Sequence, residues 1–274
     1  MKKRGMKKRG MKKRIFLSVV LLFSIFSLKA QYQEEIDSGR PGNAISVFSV
    51  GKNVFQLETG MDYLEEHNSF KLNSILRYGI SERIDLIAGM LYDFSNKKEK
   101  IEMISFGGKA NIFEGDGILP STGFQLTFNL SNSINQIDYS SILFIMGYSF
   151  NENLSYTFNF GANIDLKSSV LVEEVKEIKG VRNGVKEERG VFVEGVYAFN
   201  LSYKLTDKIS VFVEPYGSID KYTTPKIKIN FNSGISYLIN KDLKIDLLSG
   251  KGINVNNDWG VSGGISWRIG EKRG

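Results

Sequence analysis

The chain of 274 residues carries 36 Lys or Arg against 30 Asp or Glu, with one histidine and no cysteine. Without a thiol, disulfides and thiolate metal sites are excluded, and one histidine is poor material for a zinc site or a hydrolase triad. Ten of the basic residues and none of the acidic ones fall within residues 1–30, leaving 26 basic against 30 acidic; the basic balance that would point to nucleic acid belongs to the amino terminus alone.

Residues 1–30 read as a secretory signal peptide. The repeated Met-Lys-Lys-Arg run, with methionines at Met1, Met6 and Met11, supplies a basic leader, and translation from Met11 fits it equally well. Ile15 to Leu28 is apolar but too short to span a bilayer as a helix, and Leu28-Lys29-Ala30 before Gln31 is the candidate cleavage site. An exported chain with no further helical span is either soluble or a β-barrel. Residues 31–52 contain Asp37-Ser38-Gly39-Arg40-Pro41-Gly42, a cluster of turn formers, and are expected to be an irregular periplasmic segment outside the barrel.

From residue 53 to 270 the sequence alternates. Side chains on a strand point to opposite faces with period two, so one apolar and one polar row mark a strand with lipid on one side and water on the other. Asn53 to Tyr63 sets Phe55, Leu57, Met61 and Tyr63 against Gln56, Glu58 and Asp62. Ser69 to Ile80 sets Phe70, Leu72, Leu76 and Tyr78 against Lys71, Asn73 and Arg77; Ile84 to Phe94 sets Leu86, Ala88 and Met90 against Asp85 and Asp93. Ile101 to Ile112 is less regular, with Ile104, Phe106, Ala110 and Ile112 opposite Glu102 and Lys109. Pro120 to Leu130 is regular again, and Asp138 to Phe150 is apolar on both rows and hard to phase. Leu154 to Lys167 is the cleanest, seven apolar residues alternating with seven small, polar or charged ones. Val191 to Leu205, Ile209 to Ile219, Lys226 to Ile239, Leu243 to Gly250 and Trp259 to Ile269 complete twelve strands, an even number as single-chain barrels use.

The connections sort by parity. Ile80-Ser-Glu-Arg-Ile84, Phe150-Asn-Glu-Asn-Leu154, Leu205-Thr-Asp-Lys-Ile209 and Ile239-Asn-Lys-Asp-Leu243 are tight turns after even-numbered strands, whereas the odd-numbered links are mostly longer. Short turns at one end and long loops at the other is the asymmetry of outer-membrane barrels, with the short side in the periplasm. Tyr78, Tyr148, Phe150, Tyr156, Tyr203, Tyr237 and Trp267 lie near the short turns, where an interfacial girdle belongs, and Tyr63, Phe94 and Trp259 make a sparser set at the far end.

This phase turns Glu58, Asp62, Lys71, Arg77, Asp85, Asp93, Glu102, Lys109, Asp165, Glu194, Glu214, Lys226, Lys228, Lys244, Asp246 and Arg268 into the lumen, with Arg77 and Asp85 placed to pair across a hairpin. These charges either fill and stiffen the barrel or line a pore. No catalytic, metal-binding or cofactor-binding residues are expected: His67 sits among loop glutamates, and the mixed-charge stretch 168–190 reads as a solvated hairpin rather than a calcium site. Residues 271–274 form a short tail.

Three patches resemble the small bacterial outer-membrane "transporter" barrels of the phenol-degradation meta-pathway type. Asp37 to Gly42 resembles that family's amino-terminal Asp-Arg-Pro motif, interrupted here by Ser38-Gly39; Gly108 to Pro120 is similar to its central turn and Asp258 to Ile269 to its closing strand. The resemblance covers the mature chain. It implies a transmembrane antiparallel up-and-down barrel in the bacterial outer membrane that passes small molecules, hydrophobic or aromatic ones among them, without catalysis or cofactor. The alternative is a plugged structural or adhesive barrel acting through its outer loops. Outer-membrane lipid and a small solute are the expected partners, nucleic acid is not, and the oligomeric state is left open.

Overall fold

A strand with one apolar row can bury that row against a second sheet or turn it to lipid, and here every row turns outward. The computed structural model describes residues 33–65, 69–94, 100–131, 138–165, 169–172, 186–189, 192–220, 226–255 and 259–270. The expected signal peptide 1–30, His67, most of the 168–190 loop and the tail 271–274 lie outside the described residues. The strands are β1 (Val54–Leu64), β2 (Ser69–Gly79), β3 (Ile84–Asp93), β4 (Lys100–Phe113), β5 (Ser121–Ser131), β6 (Tyr139–Ser149) and β7 (Leu154–Asp165). They continue as β8 (Ser169–Val172), β9 (Lys186–Arg189), β10 (Phe192–Lys204), β11 (Ile209–Ile219), β12 (Ile227–Asn240), β13 (Leu243–Gly252) and β14 (Trp259–Gly270).

Twelve of these close into one antiparallel barrel, each neighbour in space the next in sequence, with β10 following β7. β8 and β9 pair only with each other, as the hairpin expected between them. Closure is complete: β14 pairs with β1 from Val54 opposite Gly270 to Leu64 opposite Gly260, so no sheet edge is left to lipid. Outward rows are exposed along their length, as at Phe55, Leu57 and Met61 on β1 and Ile227, Phe231, Ile235 and Ile239 on β12. In a bilayer that surface meets hydrocarbon. Aromatic rings gather at both rims: Phe55 lies 4.5 Å from Tyr78, and Tyr148, Phe150 and Tyr156 cluster at the short-turn end. At the long-loop end Tyr63 lies between Phe70 and Trp259.

The tight turns share a cap. The first of their three polar residues accepts hydrogen bonds with its side chain from the backbone beyond: Ser81 Oγ from Arg83 and Ile84, Asn151 Oδ1 from Asn153 and Leu154, Thr206 Oγ1 from Lys208 and Ile209, Asn240 Oδ1 from Asp242. Short Ser, Thr and Asn side chains stand in there for a backbone turn.

Two irregular stretches of sequence resolve in the structure. Between Leu91 opposite Met103 and Tyr92 opposite Ile101, Glu102 is an extra residue, a β-bulge. The bulge reverses the alternation, so Ile101 faces out although it shares the odd parity of the inward Lys109, and the even-numbered Glu102 serves the interior. On β6 the inward row carries Ile145, fully buried. Toward the short turn that row, Ile145 and Gly147, is apolar because what it meets there is chain, not water.

The chain it meets is the amino-terminal segment, and here the expectation of an irregular piece outside the barrel is corrected. Residues 36–51 lie within the lumen, and Ile36, Ala44, Val47 and Val50 are buried. The physical reason is that a twelve-stranded barrel is wider than its own side chains fill. The segment enters at the short-turn end, where Ile36 N donates to Lys241 O at 2.8 Å. It returns to the same end, where Asn53 N donates to Gly79 O, and passes directly into β1.

Candidate functional site

The wall grips this plug along its whole length with side chains from inward positions. At the entrance Arg268 donates to the carbonyls of Gln33 and Glu34 (2.8 Å each) and pairs with Asp242 at 2.9 Å. Two exposed pairs, Glu34 with Lys241 and Glu35 with Lys204, sit beside it. Lys241 holds the Glu34 carboxyl below the usual carboxylate range, but in open solvent such a pair is a loose tether. Further in, Gln56 donates to Asp37 O (2.9 Å) and the Gly39 N–H to Glu58 (3.0 Å).

Arg40 lies at the plug's tip, halfway along the barrel. Its guanidinium rests against Gly60 of β1 and Gly264 of β14, which face each other across the closing seam; a Cβ on either would come within about 2.4 Å of it. From that niche it donates to Asp246 (3.2 Å) and Ser262 (2.8 Å), and Ser262 in turn donates to Asp62. Lys244 donates to the Arg40 carbonyl at 3.2 Å.

Beyond the tip, Gly42 to Ala44 wrap the carboxylate of Glu214, which is fully buried. It accepts from Asn43 N (2.7 Å), Ala44 N (3.0 Å) and the amides of Asn43, Asn200 and Asn232. Five N–H donors replace the water a buried carboxylate gives up. Asn159 then pairs with both backbone groups of Ile45, and Val47 packs on Gly123 and Gly147. On the way out Lys109 donates to the carbonyls of Ser46 and Phe48 and faces Asp85 at 3.5 Å, while Asp85 accepts from Ser49 Oγ and Val50 N.

The inward charges expected from the sequence therefore divide. Glu58, Arg77, Asp85, Lys109, Glu214, Lys244, Asp246 and Arg268 hold the plug or a residue that holds it. Arg77 pairs with Glu58 at 2.9 Å, not with Asp85; both carboxylates are diagonal to it, but Asp85 is taken by Lys109, its direct cross-strand partner. Asp62, Lys71, Asp93, Glu102, Asp165, Glu194 and Lys228 stand in the long-loop half. There Lys71 pairs with Glu102 at 2.7 Å, and Glu194 accepts from Asn163 at 3.3 Å. Lys226 precedes β12 at the long-loop end and is exposed. The sequence places Gln56 on the polar row but not as a holder of the plug, and gives Asn159, Ser262 and the Gly60–Gly264 pair no role. A lone amide in mid-strand and two facing glycines were the available signals.

Two cavities flank the tip. A vestibule of about 850 Å³ occupies the long-loop half, floored by Arg40 to Asn43 and walled by Asp62, Lys71, Tyr216, Lys228, Asn232 and Leu248, among others. A smaller space of about 160 Å³ lies on the short-turn side. Among the described residues no group of acidic or histidine side chains is placed to hold a metal ion.

Residues 38–269 match the model of a protein family described as "Putative MetA-pathway of phenol degradation". No curated protein sequence shows significant similarity to this chain. Among solved structures the fold is similar to the NanC porin (TM-score 0.56, 9% identity, 78% of this chain and 100% of that one). It is also similar to the KdgM porin (0.51, 10%, 77% and 98%) and to an outer membrane channel from Pseudomonas putida F1 (0.51, 9%, 86% and 100%). At such identities the likeness establishes the barrel.

Proposed function

This chain belongs to the family described as "Putative MetA-pathway of phenol degradation", and we propose that its barrel is an outer-membrane channel passing small molecules by diffusion past a resident plug. The observation that carries this reading is the plug's extent. It stops at the barrel's waist and leaves a polar-floored vestibule of about 850 Å³ on the long-loop side. A barrel built only for rigidity has no need of such a chamber. The vestibule wall mixes Lys71, Lys228 and Asn232 with Tyr216, Leu248 and Trp259, a surface that suits a solute with both a polar group and an apolar body. Two of the structural relatives are porins and the third an outer membrane channel, which supports the same reading. The outward apolar rows and the signal-like amino terminus support export to the outer membrane, with lipid as the barrel's surrounding partner. No reaction is assigned to it.

The dense hydrogen bonding of residues 36–51 favours a second reading, a permanently closed barrel acting through its outer loops. Liposome swelling separates the two. Liposomes carrying the purified protein should swell in a small neutral sugar faster than protein-free ones. No swelling and no conductance in planar bilayers would leave only the closed barrel.

A further inference from the structure

The small cavity beneath the plug's tip has a composition unlike the rest of the lumen. Its wall comes from the short-turn halves of β7, β10, β11 and β12: Ser155, Thr157, Asn200, Ser202, Ser210 and Ser236, with Val211 and Phe212 of β11 as its apolar members. The register stacks them in pairs, Ser155 opposite Ser202, Thr157 opposite Asn200, and Ser210 opposite Ser236. Facing this wall are Asp37 to Gly42 of the plug and Lys244. The charges there are engaged, Asp37 by Ser46 Oγ and Lys244 by the Arg40 carbonyl, so what the cavity presents is mainly hydroxyl groups.

Among the described residues the other side of the plug is packed. Val47 is pressed onto Gly123 and Gly147, where an added Cβ would come within 3.3 Å of it, and Ile145 and Lys109 are buried behind. The vestibule and the hydroxyl-lined cavity, by contrast, share Arg40, Pro41 and Gly42 as lining residues. The tip of the plug is thus a partition between two spaces on one side of the barrel. Arg40 anchors it on the seam side, through Asp246 and Ser262, and Glu214 holds it on the side of the β7–β12 wall: Gly42 lies flat on the Glu214 carboxylate, where a Cβ would come 2.3 Å from an oxygen, and Glu214 takes the next two backbone N–H groups.

Resting on the channel reading above, we infer that solutes cross between the plug and the β7–β12 wall, that this lane selects small uncharged hydrogen-bonding molecules, and that Glu214 latches its gate. The selectivity follows from the wall. Hydroxyls exchange hydrogen bonds with a dehydrating neutral solute, whereas an ion meets the Asp37 carboxylate and the Lys244 ammonium together, opposite charges that leave no net countercharge to offset its lost hydration. At about 30 Å³ per water, a lane of 160 Å³ holds only a handful of waters or one small solute.

The absence of cysteine lets single-cysteine variants report without background. Ser202→Cys and Ser236→Cys, reconstituted in liposomes, should react with a small membrane-impermeant methanethiosulfonate and then lose most of their arabinose-driven swelling. Gln125→Cys, inward on the packed side, should neither react nor change. Glu214→Gln and Gly42→Ala, which weaken the latch by removing its charge or its close fit, should raise arabinose flux about tenfold, with gluconate flux rising far less. Their heat-modifiable gel migration should stay that of the closed barrel. Swelling that survives labelling of Ser202→Cys and Ser236→Cys would overturn the lane. Unchanged flux in both latch variants would overturn the gate, and gluconate passing as readily as arabinose would overturn the selectivity. In each case the channel itself would stand. An intact protein that passes no solute, with the latch variants equally inert, would remove the channel reading as well.

Discussion

Glu58 and Arg77 show what a charged residue costs inside a barrel and what repays it. Both side chains are almost wholly buried, 2.9 Å apart, and Glu58 also takes the Gly39 N–H and the Gln56 amide. A buried pair is weak evidence of net stability, but breaking one leaves an uncompensated charge and costs about 3–5 kcal/mol. Glu58→Gln should therefore destabilise the folded protein by about that much, while Glu58→Gln with Arg77→Met should recover most of it. Urea unfolding in detergent micelles reads both. Gly60 makes the complementary case, since an added Cβ would fall 2.2 Å from the Arg40 guanidinium. Gly60→Ala should push Arg40 out of its niche and strip Asp246 and Ser262 of their donor, a loss of about 1–3 kcal/mol measured the same way. At this scale the sequence was only half legible. Alternation showed which charges turn inward, but not that Arg77 chooses Glu58 over Asp85. That choice depends on Lys109, Ser49 and Val50, which reach Asp85 from a neighbouring strand and from the plug.

Among the elements, β4 tests whether register or composition governs the barrel. Strand existence was plain from period two, because lipid on one face and polar lumen on the other enforce it; boundaries moved by only a residue or two. The phase of β4 was not plain, because a single extra residue is invisible to a periodicity count until a partner strand shows where the ladder slips. Glu102 is that residue. Deleting it leaves Ile101 outward and Met103 inward in unbroken alternation, so a Glu102 deletion should still fold and show the heat-modifiable migration of a closed barrel, losing only the Lys71 ion pair. Deleting Ser105, three residues on, should instead turn the outward Ile104 and Ile101 row into the lumen and abolish that migration. If the two deletions behave alike, the bulge does not set the register.

For the molecule as a whole the question is why a segment rich in turn residues folds inward. The barrel closes without it: the ladder from β1 to β14 is backbone to backbone, and its outward rows need only lipid. The lumen does not close without it. Glu58, Asp85 and Glu214 are buried carboxylates whose donors include the backbone N–H groups of Gly39, Val50, Asn43 and Ala44, and Lys109 spends its protons on the carbonyls of Ser46 and Phe48. An irregular segment suits this task because its peptide groups are not committed to a ladder of their own and are free to pair with wall side chains. The inward location was illegible in the sequence for the same reason: residues 36–51 have no period, and their partners lie between 2 and more than 200 positions away. Deleting residues 37–50 should accordingly leave the strand content and heat-modifiable migration intact, since water can hydrate the carboxylates it uncovers. It should lower the urea midpoint, because charge-assisted bonds contributing about 1.5–3 kcal/mol each are exchanged for water. Single-channel conductance should rise severalfold over the intact protein and lose the preference for neutral solutes, as the inward charges of every barrel strand but β5 and β6 come to face one open, hydrated pore. A synthetic peptide of residues 36–51, added from the short-turn side, should bring the conductance back down. If the shortened chain fails to form a closed barrel at all, the plug is part of the folding nucleus rather than a lodger in a finished wall.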